Sequence, residues 1–241
     1  MRAPVDAAIR LEGVTKVYEG RRALDAVDLD VAQGEYVAVM GGNGAGKTTL
    51  LRVIAGLATP TRGAVSIAGV PVDRAGPGLR SLLGYVAHDT MLYGDLTARE
   101  NLLFHARLFG LPDPERAVAD AAADADVAHA LDRTVRVLSR GTKQRVALAR
   151  AFIHQPRIVL LDEPYTGLDE DASETLSTNL ASLASDGRTI VVALHEVARA
   201  VSGPERIVAL DRGRIALDRS TAAADDIESA YRQLLRTGAN R

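Results

Sequence analysis

Gly41-Gly42-Asn43-Gly44-Ala45-Gly46-Lys47-Thr48-Thr49 decides how this chain folds. It satisfies the pattern G-x-x-x-x-G-K-[ST], a glycine-rich loop whose backbone N–H groups cradle the phosphates of a nucleoside triphosphate. The neighbouring residues agree. Tyr36-Val37-Ala38-Val39-Met40 reads as a buried strand delivering the chain to the loop, and Leu50-Leu51-Arg52-Val53-Ile54-Ala55 reads as the helix leaving it. In that setting the glycines let the backbone curl, successive N–H groups point inward, and the helix N-terminus adds partial positive charge. Residues Gly41, Gly42, Asn43, Gly44, Ala45, Gly46, Lys47, Thr48 and Thr49 are therefore the candidate nucleotide loop. Lys47 is expected to reach the β- and γ-phosphates, and the Thr48 hydroxyl to ligate Mg²⁺.

Length and composition bound the rest. A chain of 241 residues is one large α/β domain or two small ones, with room for a sizeable core. A net charge of −2 gives no bulk electrostatic reason to bind DNA or an acidic bilayer. With no cysteine, disulfides, thiolate zinc sites and cysteine nucleophiles are excluded. No apolar run reaches the roughly 18 residues that a membrane-spanning helix needs. Met1-Arg2-Ala3-Pro4-Val5-Asp6 lacks the apolar centre of a secretory signal. The expectation is a soluble intracellular protein.

Away from the loop, residues 9–17 and 26–31 alternate in polarity and read as antiparallel strands, joined by a third at 64–68. Residues 70–78 are turn-rich, and 82–86 form another strand. From Leu96 the period becomes helical. Thr97-Ala98-Arg99-Glu100 is a capping box that opens a helix running to about Phe109 and ending at Gly110. A second, Ala- and Asp-rich helix is expected from Pro114 to about Leu131. Strand 157–161, helix 172–184, strand 189–194 and a short helix 196–201 follow, then a hairpin turned by Asp211-Arg212-Gly213. A last helix is expected at about 223–235.

Ile158-Val159-Leu160-Leu161-Asp162-Glu163 is the second chemical element. An apolar strand ending in two carboxylates puts acid at the C-terminal edge of a sheet, where nucleotides sit in open α/β folds. Asp162 is placed to hold Mg²⁺ beside Thr48, and Glu163 to polarise the attacking water as general base.

Leu138-Ser139-Arg140-Gly141-Thr142-Lys143-Gln144-Arg145 is the third. Ser139 caps a helix there, and Gly141 lets a phosphate approach its N-terminus. This segment resembles the signature of ATP-binding-cassette (ABC) ATPases, usually Leu-Ser-Gly-Gly-Gln followed by Gln-Gln/Lys-Arg. The resemblance implies that Ser139 and Gly141 meet the γ-phosphate held by a second copy of the domain. Pro164-Tyr165-Thr166-Gly167-Leu168-Asp169 resembles the loop, here including Asp169, that links the two active sites of the dimer. His195, closing a strand, resembles the switch histidine that contacts the γ-phosphate, and Tyr18 stands at the spacing of the aromatic that stacks on adenine.

The resemblance spans nearly the whole chain and implies a fold. That fold is a P-loop NTPase core of the α/β class with a parallel sheet, an N-terminal antiparallel β subdomain and an inserted α-helical subdomain. Residues 1–241 then form a single ATP-binding domain, with the helical subdomain at about 89–150. It also implies ATP and Mg²⁺ as cofactors, a head-to-tail homodimer or a pair with a similar subunit, and a separate transmembrane permease. Location on the cytoplasmic face of the cell (inner) membrane, without nucleic acid, follows.

Departures from the pattern matter as much. Where the family has a glutamine near Mg²⁺ and the attacking water, this chain has His88, with Asp89 beside it. Neither is equivalent: imidazole is a softer ligand than Mg²⁺ prefers, and ionised Asp cannot donate. Arg140 replaces a glycine, and could reach a phosphate or a carboxylate or face solvent. Leu-Ser-Arg-Gly, Tyr165, and His88 followed by Met91-Leu92-Tyr93-Gly94-Asp95-Leu96-Thr97 are together similar to ATPases of the haem-exporter type that serve cytochrome c biogenesis. Asp89 departs even from that subfamily. Other ABC exporters, for drugs, lipids or polysaccharides, and a soluble ABC ATPase of iron–sulfur assembly are the alternatives. A GTPase is disfavoured because no guanine-reading Asn-Lys-x-Asp is present.

Overall fold

The computed structural model describes residues 7–74 and 76–223. Two sheets organise it. Strands β1 (Ala7–Tyr18) and β2 (Arg21–Ala32) pair antiparallel, with Ile9 opposite Val31, Leu11 opposite Leu29 and Val14 opposite Val27. Glu19 and Gly20, at φ 46° and 82°, make the tight turn between them. Later in the chain β4 (Arg62–Ile67) adds to the other side of β1, and β5 (Val70–Pro71) to β4, giving the order β2-β1-β4-β5.

The second sheet is built from β3 (Tyr36–Met40), β6 (Leu83–Val86), β7 (Ile158–Asp162), β8 (Thr189–Leu194), β9 (Arg206–Asp211) and β10 (Arg214–Ser220). Its order is β10-β9-β3-β8-β7-β6, parallel throughout except for the β9–β10 hairpin. Every residue of β3, β7 and β8 is buried, as expected for parallel strands covered on both faces. The period-2 alternation sorts their side chains. Val37 and Val39 join one apolar cluster with Leu50, Leu51 and Ile54 of α1 (Lys47–Ile54), while Ala38 and Met40 join another with Leu176 and Leu180 of α6 (Glu170–Ser185). A short helix α2 (Pro77–Arg80) lies between β5 and β6, and α7 (Val197–Ser202) follows β8.

Between β6 and β7 the chain forms α3 (Ala98–Leu108), α4 (Pro114–Asp124) and α5 (Arg140–Phe152), which share a third cluster around Leu102, Ala106, Val118, Ala122 and Val146. Helix α5 is a common wall: Val146 and Ala149 face this cluster, whereas Leu148 and Ala151 face the sheet.

Two expectations are corrected. Helix α4 stops at Asp124 rather than near Leu131. Asp126 turns left-handed at φ 53°, its N–H donates to Ala123 O at 3.0 Å, and the Val127 N–H reaches Ala122 O at 2.8 Å. This closes the helix with Asp where glycine is usual, and the alanine run conceals the stop. Only a single 3₁₀ turn, Ala128–Ala130, follows. Helix α1 begins at Lys47, three residues before the apolar run that suggested it, because the end of the glycine loop is its first turn. The helix expected at about 223–235 lies outside the described residues.

Candidate functional site

Because β3, β6, β7 and β8 run parallel, the residues that follow each of them gather at one edge of the sheet. The phosphate loop follows β3, His88 follows β6, Asp162 closes β7 with Glu163 next, and His195 follows β8.

The loop is shaped by contacts that only glycine admits. Gly46 has φ 112°, and a Cβ there would sit 2.5 Å from Ala23 O. Ala23 belongs to β2, so the antiparallel sheet braces the loop from outside. The hairpin turn between β9 and β10 braces it too: Gly213 N donates to Ala45 O and Asp25 N to Gly213 O, both at 2.9 Å. Arg214 locks that contact with an ion pair to Asp25 at 2.6 Å. Tyr18 stands at the end of β1, 42 % exposed, with the Lys16 ammonium 4.8 Å from its ring centre.

Lys47 is only 5 % exposed, and its Nζ donates to Gly41 O at 2.8 Å and Gly42 O at 3.3 Å. Burial pulls its pKa down, and the charges of Glu163 and Asp162 push back. Helix α1 starts at Lys47 after Gly46, with no side-chain cap and no acidic residue in its first turn, so no side chain claims the free N–H groups of that turn.

Asp162 is fully buried, and neither carboxylate oxygen has a hydrogen-bond partner. Burial raises its pKa above the ordinary carboxylate value; the nearby Thr48 hydroxyl favours the charged form without completing a hydrogen bond, Glu163 opposes it, and His88 and Lys47 favour it. An orphaned buried carboxylate is costly. Beside the Thr48 hydroxyl it is also what a hard, oxygen-seeking divalent cation requires, so the residues fit Mg²⁺.

Glu163 leaves the strand at φ 53°, a left-handed conformation uncommon outside glycine, with its N–H on Ala193 O at 3.2 Å. The turn aims the carboxylate out of the sheet edge and between two imidazoles. His195 Nε2 pairs with Oε1, and His88 Nδ1 lies 3.4 Å from Oε2. Of the two residues at the position of the departing glutamine, His88 is thus the one that meets the acid, and Asp89 is exposed.

Ser139 caps α5, its Oγ accepting from Thr142 N at 3.2 Å, and both Ser139 and Arg140 are exposed. No hydrogen bond joins Ser139 or Gly141 to the phosphate loop among the described residues. Gly141 and Arg140 pack instead on the 164–169 segment: a Cβ on Gly141 would lie 2.9 Å from Gly167 O, and the stem of Arg140 runs over Gly167. Asp169 caps α6 by accepting from Ala172 N at 2.9 Å. The structure gives contacts to two residues that the sequence showed only as the end of the signature segment. Gln144, 4 % exposed, donates to Pro164 O at 3.0 Å, and Arg145 bridges Asp126 at 2.6 Å and Asp169 at 3.5 Å. For Gln144, a polar residue directly ahead of the apolar run Val146-Ala147-Leu148-Ala149 was the available signal.

The profile of a family described as "ABC transporter" matches residues 24–166. The chain is 36% identical over 211 residues to a Nod factor export ATP-binding protein I of Paraburkholderia xenovorans, covering 87% of this chain and 69% of that protein. It is equally 36% identical over 216 residues to a spermidine/putrescine import ATP-binding protein of Nitratidesulfovibrio vulgaris, covering 88% of this chain but only 58% of the relative. Among solved structures it is similar to a dimeric post-hydrolysis ATP-binding cassette bound to ADP and Pi, with TM-score 0.84 and 30% identity over 88% of this chain and 98% of that one.

Proposed function

The chain belongs to the ABC transporter family and is an ABC ATPase, and from that premise we propose that it hydrolyses ATP as a head-to-tail dimer to drive export through a separate membrane subunit. The observation that carries this reading is the Glu163 carboxylate, aimed between His88 and His195 beside buried Asp162 and Lys47.

In the proposed cycle, the loop N–H groups and Lys47 hold the triphosphate, and Tyr18 lies under the adenine. Asp162 and Thr48 would hold Mg²⁺, which neutralises charge on the β- and γ-phosphates when bound. Glu163 accepts a proton from the attacking water, and His195 orients that carboxylate and contacts the γ-phosphate. One face of the γ-phosphate still lacks donors. Ser139 and Gly141 of a second copy supply them, which glues two subunits around two ATP with two-fold symmetry. The exposure of Ser139 at the tip of α5 supports this, as does the dimeric cassette among the similar structures. Asp169 carries the state of one site to the other.

Residues 1–241 act as one cassette in this reading, with the helices between β6 and β7 as the lever. The membrane subunit docks where Met91, Tyr93, Phe104 and Leu108 expose apolar surface, each between 45% and 66% accessible. No described helix is long and apolar enough to cross a membrane, and in this reading a separate subunit supplies the translocation path. The protein would sit on the cytoplasmic face of the inner membrane.

Export of the haem-exporter type, for cytochrome c biogenesis, is the finer proposal. It is supported by Leu138-Ser139-Arg140-Gly141, Tyr165 and His88, whereas the relatives described above are named for Nod factor export and for spermidine/putrescine import. A six-helix permease reading frame beside cytochrome-assembly components supports it; a neighbouring polyamine permease defeats it.

The decisive experiment is Glu163→Gln. Phosphate release is expected to fall by about 10²–10⁴, and gel filtration with ATP should show a dimer that wild type forms only transiently. A variant that stays monomeric with ATP defeats the sandwich.

A further inference from the structure

Arg150 lies in the last turn of α5 and is 9 % exposed, yet it takes no part in the proposed chemistry. Its Nη1 donates to Met91 O at 2.7 Å, and no carboxylate pairs with it among the described residues; its titratable neighbours are His105 and Tyr93, with His154 next to His105. His105 is pushed down to about 4 by burial, by Arg150 and by His154, so the cluster carries the guanidinium as its charge at neutral pH. Burying a guanidinium against a lone carbonyl is unfavourable, and a leucine or methionine would fill the space at lower cost. Stability of the core therefore does not account for it.

What the guanidinium holds is informative. Met91 has φ 52°, a conformation that persists only where its surroundings enforce it. Two residues on, Tyr93 is gripped from α3 by Asn101, itself 1 % exposed: Oδ1 accepts from Tyr93 N at 2.8 Å and Nδ2 donates to Tyr93 O at 3.1 Å. The segment is thus pinned from both helices. At its upstream end stands His88, on the Glu163 carboxylate. At the opposite end of α5, about 16 Å along the helix, stands Ser139.

We propose that Arg150 is a positioning residue for hydrolysis: it ties the 88–93 loop to the helix that Ser139 caps, so that engagement of one end of α5 sets His88 against Glu163 at the other. This rests on the ATPase reading given above. The helix is then a rigid rod between a partner's phosphate and this subunit's base.

The test is a double-mutant cycle on the full chain, read by steady-state phosphate release and by affinity for a fluorescent ATP analogue. Arg150→Gln should lower kcat about tenfold and Arg150→Lys about threefold, with nucleotide affinity unchanged. In a His88→Ala background both losses should vanish, because the loop no longer carries anything to position. A purely structural role would lower affinity, melting temperature and kcat together, and would add to the His88→Ala loss. Unchanged kcat in both variants, or full additivity, overturns the proposal. Should Arg150→Gln not fold, the Lys variant alone completes the cycle. Wild type without ATPase activity, or with activity indifferent to Glu163→Gln, defeats the functional reading instead.

Discussion

Helices α1 and α3 begin in opposite ways. Helix α3 opens with a complete capping box: Thr97 Oγ1 accepts from Glu100 N at 3.1 Å, and the Glu100 carboxylate accepts from Thr97 N at 2.7 Å. Helix α1 opens with a left-handed glycine, no cap and no acid. A glycine at the cap position forgoes only a few tenths of a kcal/mol relative to a Ser or Thr cap, but it leaves the first N–H groups without a side-chain partner, and the same chain shows that it can build caps. The bare start is where a polyanion is expected, and the finished start is where only the fold is at stake. Asp162, buried and unpartnered beside α1, belongs with the bare start.

Exchanges that separate activity from stability test that contrast. Asp162→Asn should reduce phosphate release by at least about 10² while raising the melting temperature of the ligand-free protein by about 2–4 °C. The sign follows from the raised pKa of Asp162: folding favours its protonated form, so that stabilisation is lost as pH rises through the raised value, leaving an ionised group that costs at neutral pH. Calorimetry showing a drop would place Asp162 with the structural groups. His88→Gln should change kcat severalfold and alter the pH–rate profile, with little effect on melting; an unchanged rate and profile would remove His88 from the chemistry. At the capped start the pattern inverts. Thr97→Ala should cost about 1 kcal/mol, or 2–4 °C, with basal hydrolysis unchanged. Smallest is an acid effect at α3. His105 is depressed to about 4, so its share of stability is complete above the unfolded value near 6.5 and declines as pH falls toward 4. His105→Phe should flatten that decline in melting scans.

The nucleotide half was the more legible in sequence. Strand, glycine loop and helix are consecutive, so local spacing alone places Lys47 and Thr48, and an apolar strand ending in Asp-Glu places Asp162 and Glu163. The capping box at Thr97 was equally plain, because both of its partners lie within one turn. What could not be seen were groups whose partners are distant along the chain. Arg150 finds Met91 and Gln144 finds Pro164 only after α5 has packed between two clusters, and the stop at Asp126 hides in alanines that favour continuing. His88 was visible as a departure, but its pairing with Glu163 needed the register of β6 against β7.

The brace of the phosphate loop by the Gly213 turn has a consequence for biogenesis. The loop at residues 41–49 is braced by a hairpin more than 150 residues further along the chain, a long-range closure of the kind that folding completes late. Without that turn, the full glycine motif is expected to lose part of the geometry that holds a triphosphate. Affinity for nucleotide is then expected to depend on a turn that touches no phosphate itself.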